Sequence, residues 1–289
     1  MIKSMTQLTH YVKTLPLKPA QNWLSKISLP WAVTFIYLLL LLVLPVTALV
    51  SKSLTIGFKE FWQIASSPIA LSAYQVSFGI ALLAAAINGV MGTLITWVLV
   101  RYQFPGKKLV DAAIDLPFAL PTSVAGLVLA TVYSTNGWIG HWFAPFGIKI
   151  AFTSLGVFVA MLFISLPFIV RTLQPVLQEI EKDVEEAAWS LGASQSQTFW
   201  RVIFPPLVPP ILTGIALGFS RAVGEYGSVV LISSNVPFKD LIAPVLVFQR
   251  LEQYDYAGAT VIGAVLLFVS LILLLIINAL QQWGRRYAA

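Results

Sequence analysis

Apolar residues arrive in long uninterrupted blocks, and the segments between them are short and hold most of the charge. The blocks lie at about 30–50, 74–100, 116–133, 153–170, 207–232 and 257–280. A helix needs about 20 apolar residues to cross the roughly 30 Å hydrocarbon layer. The pattern therefore predicts an all-α polytopic membrane protein with six transmembrane helices. The third block is short and carries Pro117 and Pro121 near its start. Proline removes a backbone donor, so this end is expected to be unwound and packed against protein rather than lipid. Gly214, Gly218 and Ala222 form a small-residue stripe that predicts close helix packing in the fifth block.

Composition agrees with that reading. Hydrophobic residues make up 58% and charged residues 10% of the 289, against about 25% charged in a soluble domain. Cysteine is absent, which excludes disulfides and thiolate chemistry, and His10 and His141 are too far apart in sequence to suggest a metal site. The net charge of +6 does not point to nucleic acid, because the basic residues sit between the apolar blocks instead of on one amphipathic surface. With the N-terminus inside, 12 basic residues fall on the cytoplasmic side. Five fall outside (Lys52, Lys59, Lys149, Lys239 and Arg250), and Arg221 lies within the fifth block. This bias predicts both termini in the cytoplasm. Residues 1–29 then form a cytoplasmic tail and 30–289 the membrane domain, since the run from Pro30 to Val50 is too long for a signal-peptide core. Trp62, Trp138 and Trp142 fall in outer loops, where indoles anchor at the interface.

The longest polar connection runs from Arg171 to Pro206. Leu173, Val176, Leu177, Ile180, Val184, Ala188 and Leu191 recur at helical spacing, with Glu179, Glu181, Lys182, Asp183, Glu185 and Glu186 opposite. Asp183 with Glu186, and Ser194 with Gln197, are spaced as capping boxes. Gly192 suits a left-handed turn, and Pro205 and Pro206 suit a helix end. Two short amphipathic helices joined at a glycine bend are expected, shaped to dock on a soluble partner. Asp111 and Asp115, four apart, read as a solvated helix face.

Glu186-Ala187-Ala188, three residues, Gly192, nine residues and then Val202-Ile203-Phe204-Pro205 resembles the EAA motif of ABC importer permeases. Val202 stands for isoleucine and Phe204 for leucine. The resemblance implies a type I ABC importer permease fold with its core at about 74–280. It also implies an EAA coupling loop at about 171–206 whose Glu185, Glu186, Ala187, Ala188, Leu191, Gly192, Phe199 and Pro205 couple to the ATPase. The chain has no G-x-x-x-x-G-K-[ST] loop, since Arg101 stands where the first glycine of such a loop would precede Gly106-Lys107-Lys108. ATP and Mg would thus be used by the partner ATPase, with no cofactor bound by this chain and no enzymatic site of its own.

Four further runs resemble the sulfate/thiosulfate permeases. They are Arg101-Tyr102-Gln103-Phe104-Pro105-Gly106, Asp115 to Thr122 (DLPFALPT), Pro167 to Thr172 with Gln174 to Leu177, and Ser220 to Gly227 (SRAVGEYG). The resemblance implies a second related permease (CysW-like), an ATPase dimer (CysA-like), a periplasmic sulfate-binding protein, and a place in the bacterial plasma (inner) membrane. Transport would proceed by alternating access. Molybdate permeases share parts of these runs, so the same machinery carrying molybdate or another oxyanion stays open, as does a secondary anion transporter. A secondary transporter would leave the EAA-like loop unexplained.

A dianion needs donors where its water is removed. Arg221 is the basic residue placed within a span, and Glu225 follows it by four. A structural pair at a gate is favoured over direct anion contact, because a nearby carboxylate repels the anion. Thr122 and Ser123, after Pro121, are weaker path candidates that would offer backbone N–H groups at a broken helix.

Overall fold

A computed structural model describes residues 29–287, with side chains to Ala279. The lysine-bearing tail and the side chains of Arg285 and Arg286 therefore lie outside the described residues. The elements in chain order are α1 (Leu29–Thr55), α2 (Phe58–Ala65), α3 (Pro68–Arg101), α4 (Lys107–Ile114), α5 (Leu116–Ala119) and α6 (Thr122–Tyr133). They continue with α7 (Ser154–Glu179), α8 (Lys182–Ser190), α9 (Gln195–Val223), α10 (Val229–Ile232), α11 (Ala243–Glu252) and α12 (Tyr256–Tyr287). The chain divides after Ser51 into two units, the first being most of α1 and the second everything from Lys52.

Within the second unit α3, α7 and α9 pack on one another, with α12 against α9 and α11, and α6 against α10. Side-chain size explains this arrangement. Ala70, Ala73, Ser77, Ala81, Ala84, Asn88, Gly92 and Thr96 recur three or four apart along α3, and all are buried. Such residues let helix backbones approach closely where hydrophobic burial supplies little drive between helices. Ile169 of α7 fills the resulting holes. A Cβ on Gly92 would stand 2.7 Å from its Cγ2, and one on Gly214 would stand 2.8 Å from its Cα. The stripe of Gly214, Gly218 and Ala222 thus does what its spacing predicts, while the longer stripe on α3 was not anticipated. Asn88 fastens the same contact, donating from Nδ2 to the Leu162 carbonyl and to Ser165 Oγ, both at 2.8 Å.

Local chemistry sets the helix ends. Ser67 caps α3 by accepting from the Ala70 N–H, with Pro68 in the first turn where its missing donor is harmless. Thr153 caps α7, accepting from Leu155 N–H at 3.2 Å.

Among the described residues five helices are long and apolar enough to cross a membrane: α1, α3, α7, α9 and the stretch Tyr256–Ala279 of α12. The third predicted span is instead broken. Leu120 and Pro121 are extended between α5 and α6, and the 12 residues of α6 are too few to cross the hydrocarbon layer. The count of six spans is therefore met by five full-length helices and one half-length apolar helix, the interruption falling at the prolines.

The span expected at 207–232 is also redrawn. Its helix begins at Gln195 and ends at Val223, and Gly224–Ser228 form a turn before α10. Pro205 and Pro206 do not end the helix that Ser194 starts. The turn Phe199–Ile203 is widened, with Phe204 N–H donating to the Phe199 carbonyl, and the prolines enter the first turn of the resumed α-helix. The missing N–H groups are absorbed there.

Candidate functional site: the coupling loop and the gate

The fourth connection is shorter than its sequence suggested. The end expected near Val170 is overrun, because Leu173 and Leu177 are buried against Ile203 and Leu207 and so continue α7 to Glu179. The apolar stripe is thus divided. Leu173 and Leu177 belong to the bundle, whereas Val184 and Leu191 are exposed. Helix α8 opens at Lys182 after Glu181, with no side-chain cap, so the Asp183–Glu186 capping box does not form. It closes with Gly192 N–H donating to the Trp189 carbonyl at 2.9 Å and Ala193 N–H to the Ala188 carbonyl at 3.0 Å. Gly192 has φ +85°, the left-handed conformation that this closure requires. The Ser194–Gln197 capping box is formed in both directions.

The residues expected to couple to the ATPase fall on two faces. Glu186, Ala187 and Gly192 are exposed, and Leu191 is 89% exposed, a large apolar side chain left uncovered by the described residues. Pro205 is exposed where the widened turn ends, and Ala188 is half-buried. Glu185, grouped by sequence with the polar side, turns inward. Its carboxylate meets Arg101 Nη2 at 2.8 Å, and the two side chains are 17% and 13% exposed. The contact is short but poorly aligned, so these two atoms meet as charges rather than through a directed hydrogen bond. Arg101 also lies over the Trp97 ring at 5.4 Å. Trp97 in turn meets Phe199 edge-on at 5.5 Å, and Phe199 packs on Trp200 and Phe204. Glu185 and Phe199 are therefore the inner anchors of the loop, tying α8 and the start of α9 to the end of α3. Arg101 and Trp97 were missed by the sequence reading. Their spacing of four, one helical turn, beside a basic end of the second span was the available signal.

Asp111 and Asp115 stay partly solvated, their side chains 40% and 47% exposed, but they also share one cation that the sequence did not reveal. The Arg171 guanidinium holds Asp111 Oδ1 at 2.7 Å and Asp115 at 2.7 and 2.8 Å, and it also donates to the Asp111 carbonyl. Two carboxylates on α4 and its end face a cation on α7, and the pairing stitches the second connection to the fourth span.

The four path candidates come together. Arg221 stands in the last turn of α9 rather than deep within a span, and its Nη1 donates to Glu225 Oε2 at 2.7 Å. Glu225 lies past the helix end and is 2% exposed. Its Oε1 accepts from Ser228 N–H at 2.8 Å and Ser228 Oγ at 2.9 Å. Both carboxylate oxygens are thus engaged, and the charge of Arg221 is matched. The turn is pressed on the start of α6. A Cβ on Gly227 would collide with Thr122 Oγ1, and one on Gly126 would stand 2.6 Å from Ser228 Cα. Thr122 and Ser123 begin α6, where the first N–H groups have no acceptor within the helix. The broken helix and the broken end of α9 therefore meet at one place.

An apolar bundle with an exposed, capped loop, and a buried Glu225 paired with Arg221 at a helix break, fits the class of membrane transport subunits. Residues 88–286 match the family described as binding-protein-dependent transport system inner membrane component, and the chain belongs to that family. Such a subunit is a transporter component and not itself an enzyme. The chain is 78% identical over 266 residues to the sulfate transport system permease protein CysT of Synechocystis sp., covering 92% of this chain and 93% of that one. It is 63% identical to the CysT of Synechococcus elongatus, covering 92% and 96%. It is 65% identical to a probable sulfate transport system permease protein of Chlorokybus atmophyticus, covering 90% and 91%. In structure it resembles a bacterial ABC transporter involved in import of the acidic polysaccharide alginate, with a TM-score of 0.71 at 16% identity over 96% of both chains. That likeness places the fold among type I ABC importer permeases.

Proposed function

We propose that this chain is a permease subunit for sulfate and thiosulfate in an ATP-driven importer of the bacterial inner membrane, with both termini cytoplasmic. Residues 1–29 form the cytoplasmic tail and 30–289 the permease domain. A second CysW-like permease completes the path, a CysA-like ATPase dimer binds inside, and a periplasmic sulfate-binding protein delivers the anion. The relatives named for sulfate transport support the substrate.

The observation that carries the mechanism is the loop geometry. Glu186, Ala187 and Leu191 project outward beside the bend at Gly192, while Glu185 roots α8, and Phe199 the start of α9, in the end of α3. A push on the outer face is then delivered to the membrane helices through packed groups rather than through a loose tether. At the far end of α9 the Arg221–Glu225 pair and the turn seated on Thr122 and Ser123 act as a gate. Closure of the ATPase dimer would tilt the loop and part α9 from α6, opening the path outward, and hydrolysis would reset it. A matched ion pair there blocks ion leak without trapping the passing dianion.

The test is ATPase activity in liposomes containing this chain, the second permease, the ATPase and the binding protein. Sulfate-loaded binding protein is expected to stimulate the wild type and to fail with Glu186→Arg or Gly192→Asp. Stimulation by molybdate but not sulfate would keep the machine and remove the substrate.

A further inference from the structure

Beyond the coupling loop and the gate, the end of α3 that carries Arg101 is bordered by two adjoining hollows of opposite character. The first is a cavity of about 580 Å³ whose lining includes Lys107, Lys108, Gln103, Gln174 and Gln178. The second, about 220 Å³, is lined only by Leu94, Ile95, Val98, Leu99, Phe104 and Val110. Leu99 and Phe104 line both, so the polar cavity and the apolar groove adjoin across these two side chains.

Charge selects what would fill the polar part. Lys108 makes no hydrogen bond or ion pair among the described residues, and Lys107 reaches only the Tyr102 carbonyl at 3.1 Å. Asp111, the acidic lining residue, is already held by Arg171 at 2.7 Å. The cavity therefore presents two cations and three amides to an occupant, and its one carboxylate is drawn onto Arg171, which it shares with Asp115. Leu94 and Val98, exposed on α3, and Val110, exposed on α4, line the groove where α3 emerges from the span. Leu109 beside them is 75% exposed on α4 next to the two lysines, as in a helix that rests in the interfacial layer.

We propose that these hollows form a binding site for one anionic phospholipid of the bilayer, its headgroup phosphate on Lys107 and Lys108 and an acyl chain along the Val98–Val110 groove. A free anion would use the cavity and leave the groove empty. A neutral lipid would use the groove and leave the lysines unpaired. Only an anionic lipid satisfies both hollows. The site's place in the cytoplasmic leaflet rests on the orientation proposed above, while the binding itself does not. Because Arg171 joins α4 to α7, and α7 leads into the coupling loop, an occupant here would brace the segment next to that loop.

The test is native mass spectrometry of the full-length chain in detergent with phosphatidylglycerol or phosphatidylcholine. The wild type is expected to retain phosphatidylglycerol selectively. Lys107→Ala with Lys108→Ala is expected to lower that retention roughly 30-fold, taking the usual attraction per lysine near an anionic surface. Lys59→Ala, on α2, is expected to leave it unchanged. Val98→Trp, which fills the groove and spares the lysines, is expected to lower retention as well. Equal retention of both lipids, or undiminished retention in the double lysine variant, would overturn the proposal. Displacement by millimolar inorganic phosphate with no effect of Val98→Trp would overturn it in favour of a soluble anion. Because lipid retention is read without transport, failure here leaves the importer function untouched.

Discussion

Replacing Glu185 with alanine removes the carboxylate that faces Arg101 at 2.8 Å between side chains only 17% and 13% exposed. Stranding one member of a fully buried pair costs about 3–5 kcal/mol. Here the residual exposure lets water reach the guanidinium, the contact is misaligned, and the Trp97 ring at 5.4 Å still supports the cation. About 2 kcal/mol is the reasonable expectation, a roughly 30-fold rise in the fraction of molecules whose α8 is undocked. Hydrogen exchange of the amides in 182–192 reads that fraction directly, since exchange proceeds through local opening. Glu185→Ala should speed exchange there roughly 30-fold and leave the α3 core unchanged. Arg101→Met should do the same, and the double variant should add little, because both changes delete one interaction. Exchange rates in Glu185→Ala within about twofold of wild type would refute the idea that this pair seats the loop.

Three other outcomes follow from the same geometry. Glu225→Gln leaves Arg221 without its counter-charge beside a turn buried on α6, so the melting temperature should fall by the equivalent of about 1.5–3 kcal/mol; adding Arg221→Gln should restore part of the loss in the same thermal scan. Gly126→Ala drives a Cβ toward the Ser228 backbone and should cost about 1–3 kcal/mol. Gly192→Ala meets open space and bears only the left-handed backbone penalty of about 1–2 kcal/mol, so the scan should rank Gly126→Ala as at least as damaging. Arg171→Met leaves Asp111 and Asp115 without their shared cation, but both are partly exposed and screened by water, so thermal stability should fall by only about 1 kcal/mol, and adding Asp111→Asn and Asp115→Asn should recover most of it.

Much of the fold was legible because a bilayer leaves few choices for the backbone. Long apolar blocks become helices, and Pro117 and Pro121 marked where the third one fails. The spacing from Glu186 through Gly192 to Pro205 carried the family, and Gly192 and the Ser194–Gln197 box behave as their local chemistry dictates. What was hidden depends on which groups meet in space. Periodicity drew one stripe from Leu173 to Leu191, but a break at Ile180 sends its two parts to different partners. Pro205 and Pro206 read as a stop, and a widened turn accommodates them. Hydropathy carried the fifth span to Ile232 because the turn at Gly224–Ser228 is short and the apolar run Val229–Ile232 resumes straight after it. Glu225 was legible as a partner of Arg221 but not as the acceptor that closes that turn. Asp111 and Asp115 looked wholly solvated because Arg171, their partner, lies 60 and 56 residues away. The small residues of α3 were read only as hydrophobic length.

If this chain forms a sulfate path driven through its exposed loop by a separate ATPase, transport must stop when that ATPase is left out. Uptake of radiolabelled sulfate into proteoliposomes, with the ATPase subunit present or omitted, tests it most directly. Uptake should require ATP, the ATPase and the binding protein, and should be lost in Gly192→Asp. Sulfate accumulation by the permease pair with no ATPase present would contradict it.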